Sequence, residues 1–413
     1  MTPADRLPVR SATQHSDLGK LATASNEVTG GNGNMETGPI GNEELERRII
    51  SPGEFVADAS AFIDVRLPDS QGKHNFAFIG PGVSQNPDQH VNLRDPHGFN
   101  IGAAGLPPGT VNNQHLHFTA EVFVSIGTDV EFNVDVDSDR QFPASGRFVF
   151  SLPTWMFRGF RNVGEDYALL YAVLGEDDTG GILWSPKVLH QAADTGLYLR
   201  SDDTLLDTTA GDVLEGVDIV PPMSEDDLGS LRAIKSEELS GRLIKEDDMV
   251  WSDRALLDSV LPDRASRLAP VIGWGMTMDR NHVPPISNPH SFTLEWLAVP
   301  PGNRVSAHRH SDQQALIVAT DGWELEVNLG DDALSRPLEK GAVVSLPAGA
   351  WRSFINIGAE DAVMCVVNGG DTRTKLEWPA ETIEAARRDD WAVDASGYLA
   401  PFHLIERTSK PIV

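Results

Sequence analysis

The second half of this chain repeats the first half, and this repeat constrains the fold more than any other feature of the sequence. Around two His-x-His pairs the matching residues are 193 positions apart, and farther along they are 194 apart. The first group of pairs is Pro108 with Pro301, Gly109 with Gly302, His115 with His308, His117 with His310 and Glu121 with Gln314. The second group is Leu152 with Leu346, Pro153 with Pro347, Arg158 with Arg352 and Asn162 with Asn356. So many matches at nearly one spacing predict two homologous domains.

Each repeat contains short runs of alternating apolar and polar residues bounded by turn residues, for example over 74–79 and 147–152. Alternation at a period of two is typical of half-buried β-strands. The 37 glycines and 27 prolines agree with many turns. Closely spaced strands with turn residues between them predict a β-barrel or sandwich in each half.

The stretch 108–121 carries the residues best suited to chemistry. His115 and His117 are two positions apart on a predicted strand, so their side chains point to the same face. Glu121 has the same parity and can join them if the strand continues or turns back. Two imidazoles and one carboxylate on one face are a suitable set of ligands for a divalent metal.

The charge and cysteine content restrict the partners and the compartment. The chain has 33 Lys and Arg against 61 Asp and Glu, a formal net charge of -28, which argues against binding nucleic acid or an anionic membrane surface. The single cysteine, Cys365, excludes an intramolecular disulfide and is expected to lie in a core. No apolar run approaches the roughly 20 residues of a membrane span, and the first 45 residues lack an apolar signal core. A cytoplasmic protein is predicted.

The two repeats resemble the cupin superfamily, and specifically the two-barrel bicupins. In the first repeat the cupin motifs are matched by Gly109, His115, His117, Glu121 and Gly127, and more loosely by Gly146, Pro153 and Asn162. In the second repeat the second motif is matched by Gly341, Pro347, Gly349 and Asn356. The resemblance implies small jelly-roll barrels in which three histidines and a glutamate hold a metal. Bicupins include iron dioxygenases acting on gentisate and hydroxynaphthoate, manganese oxalate decarboxylases, isomerases and binding proteins.

The fold predicted on this basis is dominated by β-structure, with two cupin barrels (double-stranded β-helices, jelly-roll-like) joined by a partly helical connector. The predicted segments are a flexible N-terminal arm over 1–45, a barrel with the metal site over 46–200, an acidic connector over 201–268, a second barrel over 269–380 and a C-terminal helix and tail over 381–413. The resemblance and the long arm predict a homodimer.

The chain departs from the cupin pattern at the histidine of the second motif, which is Arg158 in the first repeat and Arg352 in the second. Arginine stays protonated and has no acceptor, so it cannot bind a metal. The first site then keeps His115, His117 and Glu121, a set that leaves coordination positions open. Arg158 is the predicted catalytic residue, because it can hold an anionic substrate or polarise a bound oxygen. The alternative is an ion pair between Arg158 and Glu121 in a metal-free barrel.

The second candidate site has also lost its carboxylate. It consists of His308, His310, Gln314 and Arg352. A neutral set of two imidazoles and one amide binds divalent metals more weakly, so a degenerate, structural barrel is favoured over a second metal site. A fourth ligand to the first site from outside the motifs stays open; the candidates are His74, His90, His97, His190, His282, His290 and His403.

Five aromatic residues of the first repeat are candidates for a substrate pocket, with core packing as the alternative: Phe118, Phe123, Trp155, Phe157 and Tyr171. The predicted function is a metal-dependent enzyme, a non-haem Fe(II) dioxygenase acting on a small, aromatic, carboxylated compound together with O2. One alternative is a decarboxylase, isomerase or hydrolase that uses Mn, Ni or Zn as a Lewis acid. The other is a non-catalytic bicupin that binds a small acid through Arg158 and Arg352.

Overall fold

The computed structural model describes residues 38–407 of the chain. Most of the arm predicted over 1–45 lies outside these residues. Residues 42–45 of this predicted arm belong to helix α1 (Asn42–Arg48), in which Leu45 is fully buried. No helix among residues 38–407 is long and apolar enough to cross a membrane.

The first barrel consists of two antiparallel sheets that pack against each other. Its strands, preceded by β1 (Ile49–Ile50), are β2 (His74–Ile79), β3 (Val91–Leu93), β4 (Phe99–Leu106), β5 (Val111–His117), β6 (Glu121–Ile126), β7 (Val130–Val134), β8 (Arg140–Ala144), β9 (Arg147–Leu152), β10 (Arg158–Asn162), β11 (Ala168–Gly175) and β12 (Ile182–Trp184). One sheet has the order β12-β5-β10-β7-β8, and the other contains β9-β6-β11-β4-β2-β3, with β2 and β3 parallel. Between the sheets Phe132 contacts Phe123 and Phe150, so aromatic packing fills this core.

Short elements lie between the strands of the first barrel and those of the second. They are α2 (Pro186–Asp194), β13 (Leu197–Leu199), β14 (Leu205–Asp207), α3 (Glu225–Ser230), α4 (Ser236–Ser240) and β15 (Leu243–Lys245). Ser185 caps α2 and Ser224 caps α3, each accepting a hydrogen bond from a backbone N–H of the first turn.

The second barrel repeats the two-sheet arrangement. Its strands are β16 (Arg267–Ile272), β17 (Phe292–Val299), β18 (Arg304–His308), β19 (Gln314–Val318), β20 (Trp323–Val327), β21 (Leu334–Leu338), β22 (Val343–Leu346), β23 (Arg352–Asn356) and β24 (Ala362–Gly369). The sheets have the orders β22-β19-β24-β17-β16 and β18-β23-β20-β21. After it follow α5 (Ala380–Arg388), the hairpin β25 (Trp391–Val393) and β26 (Leu399–Pro401), and α6 (Phe402–Ile405). The predicted fold of two jelly-roll barrels with a partly helical connector is confirmed.

The segment that precedes each barrel in the sequence pairs with the other barrel. Strand β1, just ahead of the first barrel, pairs with β22 of the second barrel, and β15, just ahead of the second barrel, pairs with β9 of the first. A core of buried residues, which includes Phe99 and Phe292 in edge-to-face contact, continues from one barrel into the other. The barrels are therefore joined by exchanged strands and by a shared core.

Candidate metal centre

Strand β5 ends in the two histidines of the first motif. His115 is paired with Arg158 on β10 and with Trp184 on β12, and His117 is paired with Ile182. Both side chains are almost fully buried. A short turn then brings Glu121 to the start of β6. The candidate ligand atoms of His115, His117 and Glu121 all lie within 4.8 Å of one another, and His117 Nε2 is 3.3 Å from Glu121 Oε1.

The hydrogen bonds of these side chains leave their ligand atoms free. His115 Nδ1 is 2.7 Å from the carbonyl oxygen of Asn113. Because a carbonyl only accepts, Nδ1 carries the proton and Nε2 keeps its lone pair. Both ring nitrogens of His117 and Glu121 Oε2 have no hydrogen-bond partner within residues 38–407. Buried polar atoms normally have partners, so this donor set fits a divalent metal.

The electrostatics of the pocket favour the metal-binding form of the two histidines, but not that of the glutamate. Burial lowers the pKa of His115 to about 3 and that of His117 well below its ordinary value, so both imidazoles are neutral. Burial also raises the pKa of Glu121 to about 7, and the neighbouring charge of Arg158 opposes this rise. A bound cation would stabilise the ionised carboxylate further.

Arg158 is fully buried at the start of β10. Its Nη2 donates to the carbonyl oxygen of Pro153 at 2.6 Å, and its Nε lies 3.6 Å from Glu121 Oε2. In the part of the chain that the structure describes, Nε and Nη1 have no hydrogen-bond partner. The ion pair with Glu121 considered from the sequence is thus present but long, and two of the three guanidinium nitrogens have no hydrogen-bond acceptor among the described residues.

A cavity of about 70 Å³ adjoins the three candidate ligands. Of the five aromatic residues predicted for the pocket, Phe123 lines it. Apart from Phe123, the aromatic walls are residues that the sequence did not indicate: Phe62, Phe76, Phe160 and Trp184.

The other four predicted pocket residues lie elsewhere. Phe118 stacks on Trp155 at 4.9 Å, and Trp155 is 46% exposed at the surface. Phe157 is buried away from the cavity walls, and the Tyr171 hydroxyl donates to the Gly341 carbonyl oxygen of the second barrel at 2.7 Å. None of these four lines the cavity beside the candidate ligands, because strand alternation does not distinguish a cavity wall from a core or a barrel interface.

A β-bulge brings in a polar residue that alternation misses. Between the pairs Arg158–His115 and Phe160–Asn112, strand β5 has one residue more than β10. The extra residue reverses the parity, so Asn112 lines the same cavity as His115. Regular alternation would have placed Asn113 there instead.

The equivalent site of the second barrel is closed by its own arginine. His308, His310, Gln314 and Arg352 are all fully buried. Arg352 Nη1 lies 2.8 Å from His310 Nε2 and 3.2 Å from Gln314 Oε1. Its other nitrogens donate to the carbonyl oxygens of Pro347 and Ala350. The guanidinium thus occupies two of the acceptors that a metal would need, while His308 Nε2 has no partner within the described residues.

A second difference lies in the residues at the positions of the cavity wall. Gly102, which lines the first cavity, pairs with Ala172 on the neighbouring strand, and the equivalent pair in the second barrel is Glu295 with Val366. The fully buried carboxylate of Glu295 accepts hydrogen bonds from the Met276 backbone N–H at 2.9 and 3.1 Å. Larger side chains therefore fill the second barrel where small ones leave space in the first.

Comparison with known proteins finds one matching domain family and several structures with a similar fold. Residues 295–368 match the Cupin domain family. The oxalate decarboxylase of Lactobacillus farciminis, in a formate complex, superposes with a TM-score of 0.50 at 11% identity, over 91% of this chain and 95% of that one. An oxalate decarboxylase of Bacillus subtilis at pH 4.6 gives 0.48 at 13% identity over 86% and 85%, and hazelnut (Corylus avellana) vicilin gives 0.45 at 11% over 78% and 85%. No curated protein sequence matches the chain. The second barrel therefore contains a match to the Cupin domain, and the chain has the two-barrel fold predicted from the sequence.

Proposed function

We propose that this chain is a metal-dependent bicupin enzyme whose first barrel binds a divalent metal through His115, His117 and Glu121 and acts on a small carboxylate. One observation carries the proposal. The two barrels have the same arginine at equivalent positions, yet Arg352 pairs with His310 Nε2 and Gln314 Oε1 and leaves His308 Nε2 as the one unpaired buried atom among these four side chains of the second site. Around Arg158 the buried polar atoms of His117, Glu121 and the guanidinium stay unpaired within the described chain, as in a site built for a ligand.

The charge of the site favours an anion. A divalent cation and the guanidinium of Arg158 outweigh the single carboxylate of Glu121, and all of these groups are buried. Uncompensated charge in a buried site is costly, so an anionic ligand would stabilise the loaded site. Arg158 would contribute to this attraction through its charge and through its unpaired N–H groups.

The size of the cavity favours a substrate with few heavy atoms. A cavity of about 150 Å³ binds benzene in another protein, whereas the cavity here measures about 70 Å³. A carboxylate of one to three carbons therefore fits the site better than the aromatic acid predicted from the sequence.

A bound divalent metal would supply Lewis-acid activation of the carboxylate and, as Fe(II), also O2 chemistry. The protein's own groups would exclude water through the aromatic walls and hold the imidazoles neutral. The structural neighbours named oxalate decarboxylases support the Lewis-acid alternative. The open three-ligand set favours the Fe(II) dioxygenase, which remains a second proposal. Oxygen uptake during turnover distinguishes the two, because Lewis-acid decarboxylation, isomerisation or hydrolysis uses no O2.

The test is metal retention. Purified protein is reconstituted with Fe(II), Mn(II), Ni(II) or Zn(II), dialysed and analysed for metal. We expect one ion per chain in the wild type, loss of it in His115→Ala and Glu121→Gln, and full retention in the matched control His308→Ala of the second barrel. If the wild type retains none of these metals, the proposal is wrong.

A non-catalytic small-acid binder is the third alternative. A thermal-shift screen of formate, acetate and oxalate with and without metal separates it from an enzyme, because a binder that uses Arg158 alone responds without metal. The homodimer and the cytoplasmic location predicted from the sequence stay predictions.

A further inference from the structure

A buried ion pair lies next to the metal centre and outside its ligand set. Lys73 and Asp64 form a salt bridge, and their side chains are 7% and 0% exposed. The ammonium group lies 5.1 Å from the ring centroid of Phe62 and 5.7 Å from that of Trp184, two walls of the cavity. Its remaining polar contact is Asn112 Oδ1, at 2.7 Å.

This contact fixes the orientation of the Asn112 amide. Because an ammonium group only donates, the atom that faces Lys73 must be the amide oxygen, and Nδ2 therefore points the other way. Asn112 lines the cavity, and Nδ2 lies 3.5 Å from His115 Nδ1. His115 Nδ1 carries the proton that it donates to the Asn113 carbonyl oxygen, so it cannot accept a hydrogen bond from Asn112 Nδ2. Within residues 38–407 no other acceptor contacts Nδ2, so an N–H donor is left at the cavity wall.

The second barrel shows which part of this arrangement is structural. Asp258 is the equivalent of Asp64, and each carboxylate accepts from the backbone N–H two residues before the first histidine: Asp258 from Ser306 at 2.5 Å, Asp64 from Asn113 at 3.2 Å. The buried aspartate therefore holds the histidine strand in both barrels.

Lys73 and Asn112 occur in the first barrel alone. Strand pairing next to these positions (His74 with Gly105, Arg267 with Ala298) makes Ser266 the equivalent of Lys73. The bulge pairs (Asn112 with Phe160, Val305 with Phe354) make Val305 the equivalent of Asn112. The fold is thus compatible with serine and valine at these two positions. Lys73 and Asn112 occur only in the barrel whose metal site has unpaired ligand atoms and an adjoining cavity.

We propose that Asn112, aimed by Lys73, is the substrate-positioning residue of the first barrel, and that its Nδ2–H group donates a hydrogen bond to an oxygen of the bound carboxylate. This proposal rests on the proposed function. It assigns Lys73 a positioning role, since the ammonium acts through the amide and is separated from the cavity by Asn112 and the aromatic walls.

The test uses the two residues that the second barrel already carries. The wild type, the double variant Lys73→Ser/Asn112→Val and the single variant Asn112→Asp are loaded with Mn(II), and oxalate is titrated by calorimetry. Protein-bound Mn(II) is followed by electron paramagnetic resonance. Asn112→Asp keeps the volume but replaces the donor by a negative acceptor, so it remains informative if the double variant does not fold. Ser266→Ala is the matched control in the second barrel.

We expect both variants to bind oxalate about tenfold to a hundredfold more weakly, as for the loss of a hydrogen bond to a charged group, with Mn(II) affinity unchanged. Ser266→Ala should behave as the wild type. Unchanged oxalate affinity in the variants, or loss of Mn(II) from them, would overturn the role of Asn112 and leave the proposed function standing. A wild type that retains none of Fe(II), Mn(II), Ni(II) and Zn(II), or that binds Mn(II) but no oxalate, formate or acetate, would instead overturn the proposed function.

Discussion

At the residue scale, the two equivalent arginines have different surroundings. Arg352 donates to His310, to Gln314 and to two backbone carbonyls, whereas Arg158 makes one hydrogen bond, to Pro153, within the described residues. A buried cation with a full set of acceptors is part of the folded structure. A buried cation with unused N–H groups is costly unless a ligand completes its surroundings.

Replacing these arginines should therefore have unequal effects on the metal-free protein. Arg352→Met leaves His310 Nε2 and Gln314 Oε1 without a donor, and we expect the free energy of unfolding to fall by about 3 kcal/mol or more. Arg158→Met should cost less than half of that, because its single strong hydrogen bond is to a carbonyl. Urea denaturation of both variants measures the difference, and equal losses would contradict the contrast between the barrels.

Glu295 provides a test through pH. Burial raises its pKa to about 8, against about 4.3 in an unfolded chain. Between these values the folded state holds one proton more than the unfolded state, so stability falls as pH rises through this window, by up to about 1.4 kcal/mol per pH unit. Glu295→Gln mimics the protonated form and should remove this contribution. Its stability relative to the wild type should increase from pH 5 to 8.

Denaturation curves at several pH values measure this difference between variant and wild type. Glu360→Gln, at an exposed position of the same barrel, is the control and should show no such trend. A constant difference between Glu295→Gln and the wild type across pH 5–8 would mean that Glu295 is ionised in the folded protein throughout.

At the scale of elements, the segment ahead of each barrel stabilises the other barrel. Leu45 of α1 is buried in the core of the second barrel, and Leu239 of α4, its equivalent in the repeat, is buried in the core of the first. The following strands, β1 and β15, are exchanged in the same way. Each barrel is therefore completed by a segment that lies before the other barrel in the sequence.

This exchange predicts where a core mutation acts. Leu45→Ala should destabilise by about 2–5 kcal/mol, as for other buried leucines, and should increase hydrogen exchange first in β22 and β19 of the second barrel. Leu239→Ala should have the matching effect on β9 and β6 of the first barrel. Hydrogen-exchange mass spectrometry locates both effects. Faster exchange in the barrel that follows the mutated segment would contradict the exchanged arrangement.

Elements also show how far the sequence could predict this protein. The repeat and the His-x-His spacing were enough for two barrels and for the set His115, His117 and Glu121, because strand periodicity and a repeat are local patterns. Asn112 was missed because a bulge reverses the parity of β5. The partner of a strand as short as β1 depends on long-range packing, which local patterns do not contain. The large side chain at this position of the second barrel could have been predicted from the sequence, since the repeat aligns Gly102 with Glu295.

At the scale of the whole molecule, two equivalent contacts join the barrels. His97 of the first barrel bonds Ser345 Oγ of the second at 2.7 Å, and His290 of the second bonds Ser151 Oγ of the first at 2.7 Å. Arg48 and Arg242 donate to the same two hydroxyl groups, at 2.8 and 3.0 Å. Removing either serine hydroxyl would leave one buried imidazole Nε2 and one guanidinium N–H without this partner.

The shared core and these contacts predict that both barrels unfold as one unit. In the wild type we expect a single thermal transition with a calorimetric enthalpy equal to the van't Hoff enthalpy. Ser151→Ala/Ser345→Ala removes these two polar contacts, at about 1–3 kcal/mol for each group left unpaired, and leaves the shared core and the exchanged strands in place. It should therefore weaken the coupling and raise the ratio of the two enthalpies above one. Ser353→Ala, which removes a hydroxyl bonded to Val305 inside the second barrel, is the control and should lower the transition temperature without changing the ratio. An unchanged ratio in the double variant would show that the shared core couples the barrels without the serine contacts. Two transitions in the wild type would show that the interface does not couple them, because cooperative unfolding requires that neither barrel be stable once its contacts with the other are lost.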